Sequence, residues 1–211
     1  MVPAAFRNKT MHSWERALFL GVALALLLGI WLGCEQTILA EKVVRLHVIA
    51  NSDSAADQAL KLQVRDCVLK EAEHLIVTDG SLEAALSSAG EHLDEFTAAA
   101  AAAVRAAGYD YPVTAAVEQS WFPTKHYDGF AFPAGRYTAL RIVIGEGRGE
   151  NWWCVLFPPL CLSAVTETVA QVAADGGLCD QEIALITGTS EGYLIKFKAM
   201  ELWEELRHAL S

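Results

Sequence analysis

The hydrophobic period along the chain predicts an α+β fold: an N-terminal strand–helix unit, a second helix, an antiparallel sheet with a hairpin, and a C-terminal helix. Three observations carry this. An apolar, β-branched stretch at 41–51 runs straight into helix-capping residues, residues 55–107 repeat at helical spacing, and beyond Gly108 the period falls to two. With 211 residues, 53% hydrophobic and 20% charged, the length suits one compact domain. Ordinary Gly and Pro contents and the lack of long polar tracts argue against a disordered chain.

The first forty residues form a unit of their own. Arg7, Lys9 and Arg16 precede an unbroken apolar run from Ala17 to Gly33, the order of charge and hydrocarbon found in export signals and membrane anchors. The run exceeds the ~7–15 residues of a signal-peptide core and just reaches the ~17–25 of a membrane span, so length leaves cleavage and anchoring both open. Ile38-Leu39-Ala40 offers a small residue for cleavage before Glu41. Either outcome places residues 41–211, a single domain, outside the cytoplasm. The run has no polar face, which excludes a surface helix of a soluble core. Trp31 and Leu32 ahead of Cys34 are too bulky for a lipid-accepting signal.

In the body, Glu41–Asn51 reads as a strand and Ser52-Asp53-Ser54 as a helix cap. Leu60, Val64, Cys67, Val68 and Leu75 give a helix from Ala55 to about Ile76, with i,i+4 pairs Asp57–Lys61 and Asp66–Lys70. A second helix spans Leu82 to Ala107, rich in alanine and stopped by Gly108. Strands follow at Tyr111–Gln119, Tyr137–Ile144 and Trp152–Phe157, and Gly145–Gly149 closes the last two as an antiparallel hairpin. Ile183–Thr187 and Tyr193–Phe197 read as short strands, and Lys196–Leu210 as an amphipathic terminal helix.

Charge and motifs exclude several chemistries. With 26 acidic against 16 basic residues the net charge is −10, which opposes a phosphate-tracking surface, so no nucleic acid is expected. The six histidines form no H-E-x-x-H and the cysteines no C-x-x-C, so neither metal nor cofactor is expected. Gly188-Thr189-Ser190-Glu191-Gly192 fits a nucleophile-elbow pattern, but an alternating stretch follows it where a helix is required. An extracytoplasmic hydrolase using Ser190 or a cysteine is therefore the alternative reading, and no enzyme activity the favoured one. The body's four cysteines, 67, 154, 161 and 179, permit three full pairings outside the cytosol. Cys154 with Cys161 is the favoured pair, closing a loop through Pro158-Pro159 for about 2.5 kcal/mol.

Two segments carry more chemistry than a plain core requires. One is the strand-to-helix junction with Asn51, Asp53, Asp57, Lys61 and Arg65, which also fits a capped helix with solvated pairs. The other is the aromatic loop from Trp121 to Tyr137, containing Phe122, Lys125, Tyr127 and Arg136. Such loops either fold onto the core or offer anchors to a partner.

Arg45-Leu46-His47-Val48-Ile49-Ala50-Asn51-Ser52-Asp53, then Phe122-Pro123-Thr124-Lys125, Pro133-Ala134-Gly135, Ala139-Leu140-Arg141 and Asn151-Trp152-Trp153-Cys154 through Cys161, closely resemble the stage II sporulation protein R family. The resemblance spans roughly residues 43 to 161. It implies a signal made in the forespore and exported into the space between the two septal membranes, anchored by residues 17–33 if uncleaved. It implies, as partner, the mother-cell membrane protease stage II sporulation protein GA, which processes the sigma-E precursor. It brings no catalytic residues. The expected partner contacts are Asn51, Asp53, Asp57, Lys61, Arg65, Trp121, Phe122, Lys125, Tyr127 and Arg136, chosen by residue chemistry.

Overall fold

A computed structural model describes residues 13–76, 81–161, 169–188, 198–199, 201–203 and 205–206. Helix α1 (Ser13–Ala40) leads into strand β1 (Val44–Ile49), followed by α2 (Ala55–Leu75), α3 (Leu82–Glu91) and α4 (Leu93–Ala106). Strand β2 (Val113–Phe122), the short β3 (Lys125–Tyr127) and β4 (Phe130–Phe132), then β5 (Gly135–Ile144) and β6 (Asn151–Phe157) come next. Helices α5 (Val169–Asp175) and α6 (Asp180–Ile186) complete the named elements, and residues 198–199, 201–203 and 205–206 are helical within the expected terminal helix.

The α+β class holds, but the main sheet is mixed, ordered β2-β5-β1-β6, with β1 parallel to β5 and antiparallel to β6. The expected hairpin between β5 and β6 is corrected, because β1 lies between them. Every residue of β1 is buried, so the strand needs a partner at each edge and a layer on each face. The Gly145–Glu150 loop instead arches over the end of β1, where Arg148 and Gly149 donate backbone N–H bonds to the carbonyls of Asn51 and Ala50 at 3.2 and 3.0 Å.

On one face, Val44, Leu46 and Val48 of β1 join Leu140, Ile142 and Ile144 of β5. Leu60, Val64 and Val68 of α2 and Phe96, Ala100 and Val104 of α4 cover them, each set at the spacing of one helix stripe. The Ser54 hydroxyl caps α2 by accepting from the Asp57 N–H at 3.1 Å. The second expected helix is broken at His92, just after the poor helix formers Ser87, Ser88 and Gly90. The Ser88 carbonyl takes the His92 backbone N–H there.

The other face is covered by the end of α1, the β3–β4 hairpin, α5 and α6, through Leu39, Phe130, Phe132, Val172 and Ile186. The expected strand at Ile183–Thr187 is helical instead, since Glu182 reaches back to the Cys179 backbone N–H at 2.7 Å and nucleates α6. The expected strand Tyr193–Phe197 and the elbow serine Ser190 lie outside the described residues. The apolar run Ala17–Gly33 lies within α1, whose side chains at 26 and 28–36 are outside those described. Among the described residues no helix is long and apolar enough to cross a membrane.

Candidate functional site

The two segments singled out in the sequence sit at opposite ends of the sheet. Asn51 follows the C-terminal end of β1, whereas Phe122 pairs with Gly135 beyond its N-terminal end.

At the first end the polar groups close on one another. Asp57, 4% exposed, accepts from the Ser52 hydroxyl at 2.5 Å and the Asn51 amide at 2.9 Å. Those bonds hold its carboxyl below the ordinary aspartate range. Asn51 Oδ1 accepts from the Glu146 backbone N–H and Asp53 Oδ1 from that of Glu150, at 3.0 and 2.7 Å. Lys61, also buried, bonds Gln58 and the Glu150 carbonyl, so the expected Asp57–Lys61 pair is replaced. Arg65 pairs with Asp66 at 2.6 Å and lies over the Trp152 ring. These residues tie the loop over β1 to the start of α2.

At the second end the aromatic loop folds onto the core around Arg45, which has no exposed surface. Its guanidinium lies 4.4, 5.2 and 4.9 Å from the ring centres of Phe122, Phe132 and Tyr137. Nε donates to the Cys154 carbonyl at 2.8 Å and Nη2 to the Tyr127 hydroxyl at 2.7 Å, which in turn donates to the Trp153 carbonyl at 3.1 Å. Burial pushes the Tyr127 phenol up, so it stays neutral in this chain of bonds. No carboxylate among the described residues pairs with Arg45. The cation is held by ring faces, each contributing about 2 kcal/mol when desolvated, and by neutral oxygens.

Two residues along β1, on the same face, lies His47. Its ring stacks on Trp153 with centres 6.0 Å apart, and Nε2 meets Asn151 Oδ1 at 2.8 Å. Burial keeps its pKa below the usual value, with Arg141 and Arg45 acting in the same sense and Asn151 and Glu118 opposing. Lys125 Nζ lies 4.0 Å from the Trp153 ring centre, and Arg141 pairs with Glu118 at 3.0 Å. Among the described residues, Arg45 Nη1, His47 Nδ1 and Trp153 Nε1 are buried without a hydrogen-bond partner. These nitrogens are enclosed, and the cations this face leaves partly exposed, Lys125 and Arg141, are suited to carboxylate or carbonyl groups.

Of the expected contacts, Phe122 is buried and Tyr127 braces Arg45, while Trp121 is partly buried and Arg136 exposed. Sequence reasoning passed over Arg45, His47 and Trp153. The available signal was a pair of polar residues two apart in an otherwise apolar strand, which aims both at one face. Cys154 and Cys161 form a disulfide with Cα atoms 6.3 Å apart, while Cys67 and Cys179 are free and exposed. Among the described residues no group of His, Cys, Asp or Glu could hold a metal ion.

Together these features define a helix-led α+β domain with a mixed sheet and a caged cation on one sheet face. The family model of stage II sporulation protein R matches residues 40–167, and the chain belongs to that family. It is 39% identical over 127 residues to stage II sporulation protein R of Bacillus subtilis (strain 168), covering 60% of this chain and 57% of that relative. No solved structure matches. The matched range contains the entire main sheet, the Arg45 cage and the disulfide, and it makes this a sporulation protein.

Proposed function

We propose that this chain is an exported sporulation signal made in the forespore. In this reading it acts in the space between the septal membranes and activates stage II sporulation protein GA of the mother cell, which then processes the sigma-E precursor. The observation that carries the reading is the family match over the whole sheet-bearing unit. The order of basic residues and apolar run at the N-terminus supports export.

A membrane protease held inactive is switched on by an external ligand that binds its active arrangement better than its resting one. The uncovered part of the sheet face that carries Arg45 suits such binding, because the partly exposed Lys125 and Arg141 fit acidic groups on an extracytoplasmic loop.

The test is co-expression of the chain, the protease and the sigma-E precursor in a non-sporulating host. Precursor cleavage is expected with the apolar run 17–33 present and not with it deleted, a change that leaves Leu39 and Ala40 for the core. No cleavage by a chain shown to be exported and folded would overturn the reading. Lys125→Glu, on a side chain outside the hydrogen-bonded core, is expected to lower cleavage on the order of tenfold at unchanged melting temperature.

A further inference from the structure

The last turn of α1 belongs to the domain core. Leu39 has no exposed surface and Ala40 only 7%, and both share a cluster with Val43, Tyr137, Ala139, Val155 and Ile186. The helix passes into β1 without a linker: the Glu41 and Lys42 N–H groups donate to the carbonyls of Thr37 and Leu39 at 3.0 and 3.2 Å. Lys42 Nζ then bonds Glu182 of α6 at 2.8 Å and fastens the exit. Ile38, one residue before Leu39, is 47% exposed. Towards the other end of the same helix, Trp14, Leu18, Phe19, Leu20, Leu24 and Leu27 are all more than half exposed. One continuous helix therefore has its C-terminal turn in a protein core and large apolar side chains uncovered further back.

We propose that residues 1–40 stay on the folded protein, so that the domain is displayed on a lipid surface by α1 rather than released. Ile38-Leu39-Ala40 reads as a peptidase site in the sequence, yet here it is helical and half built into the core. A protease takes its substrate as an extended strand, which the folded junction does not offer. Cleavage before folding would give a chain starting at Glu41, whose core lacks Leu39 and keeps a hole in the cluster that contains Tyr137 and Val155. Lipid is the occupant that fits the uncovered part: the large exposed side chains from Leu18 to Leu27 are hydrocarbon or aromatic, and Arg7, Lys9 and Arg16 lie before the start of the run, where lipid headgroups are met.

Export enters here only in saying on which side of the membrane the domain stands, and the test separates it from retention. The full chain is expressed in a bacterial host, a protease is added to intact cells, and the protein is fractionated and its intact mass measured. The expected result is a protease-accessible domain of full-length mass that pellets with membranes and is released by detergent but not by high salt or alkaline carbonate. A folded, soluble chain starting at Glu41 would overturn retention and leave export standing. A full-length, membrane-bound domain shielded from protease would keep retention and sink export. Release of the full-length chain by salt or carbonate would overturn the lipid assignment.

A second arm tests the junction in the detergent-solubilised full chain. Leu39→Ala is expected to lower the melting temperature by about 5–15 °C, while Leu39→Met and Ile38→Ala stay within about 3 °C. Equal melting of Leu39→Ala and the parent would show that the junction is no part of the core.

Discussion

The two ends of β1 solve opposite problems. Past its C-terminus, Asn51, Ser52, Asp53, Asp57, Gln58 and Lys61 satisfy one another and the backbone of the 145–150 loop. Near its N-terminus, Arg45 is enclosed by rings and given two neutral acceptors, with Nη1 left over. Six residues separate Arg45 from Asn51, about 20 Å along a strand. The first arrangement spends most of its polar groups on itself, and the second encloses its cation while leaving Lys125 and Arg141 partly exposed on the same sheet face. A dense set of polar residues is thus a poor guide to a recognition surface, since density is also what lets such groups satisfy each other.

The largest expected effect tests the cage. Arg45→Ala should destabilise the domain by about 3–5 kcal/mol, because it opens a ring-lined hole and removes the donors to Tyr127 and Cys154. Arg45→Met keeps most of the volume and discards the charge, so a loss of about 1–2 kcal/mol is expected. Denaturant midpoints measure both. If Arg45→Met were as stable as the parent and lost precursor processing, the charge would serve a partner rather than the fold. If it lost neither, the contrast between the two ends would fail.

Next in size is Gly149→Ala at the other end. An added Cβ would strike the Ser52 carbonyl, lying 2.6 Å from its carbon and 2.8 Å from the Ala50 Cβ. The opposing atoms are mostly backbone and cannot swing away, so the loop must lift off β1 at about 2–3 kcal/mol. Gly90→Ala, where nothing lies within 4 Å, is the control and should be neutral or slightly stabilising. Equal melting temperatures for the two variants would mean that the loop does not rest on β1.

A smaller effect distinguishes the junction by pH. The Asp57 carboxyl titrates below its ordinary value of 3.8 in the fold because Ser52 and Asn51 donate to it. A depressed folded pKa gives stability that is complete above the unfolded value and lost as pH falls through the folded one. Asp57→Asn should therefore cost about 1 kcal/mol at neutral pH and flatten the acid limb of the stability curve below pH 3.8. An unchanged acid limb would show that other carboxylates set it.

Much of this was legible in the sequence, for local reasons. The stripe of Leu60, Val64 and Val68 and the Ser54 cap specify α2 by themselves, and the class follows from the switch in period after Gly108. The place of β1 between β5 and β6 was not legible, since strand order is set by burial on both faces and by the long crossover from β1 to β5, neither of which is a local signal. The site divided the same way. Asn51, Asp57 and Lys61 stand out by residue type, yet only their mutual distances reveal that they are spent on one another. Arg45 and His47 were hidden in an apolar strand, and the rings that cage Arg45 arrive from a loop far along the chain.

The smallest expected effect joins the two ends, because His47 lies between them on β1. Its folded pKa is below 6.5, chiefly through burial, with Arg141 and Arg45 disfavouring the charged ring and Asn151 and Glu118 favouring it. The unfolded chain then takes up a proton first, so stability is complete above 6.5 and declines as pH falls from there to the folded pKa. His47→Gln keeps a side-chain polar group near Asn151 without a titrating proton, and it should flatten stability across that window while leaving the limb below pH 3.8 unchanged. Glu118→Gln removes a charge that favours the protonated ring and should steepen the decline. Melting temperatures from about pH 7 to about pH 5 measure both. If Glu118→Gln instead left the slope unchanged, the ring would be governed by burial and its hydrogen bond to Asn151 and not by the charges on this sheet face, and that face would be less suited to receiving an acidic group.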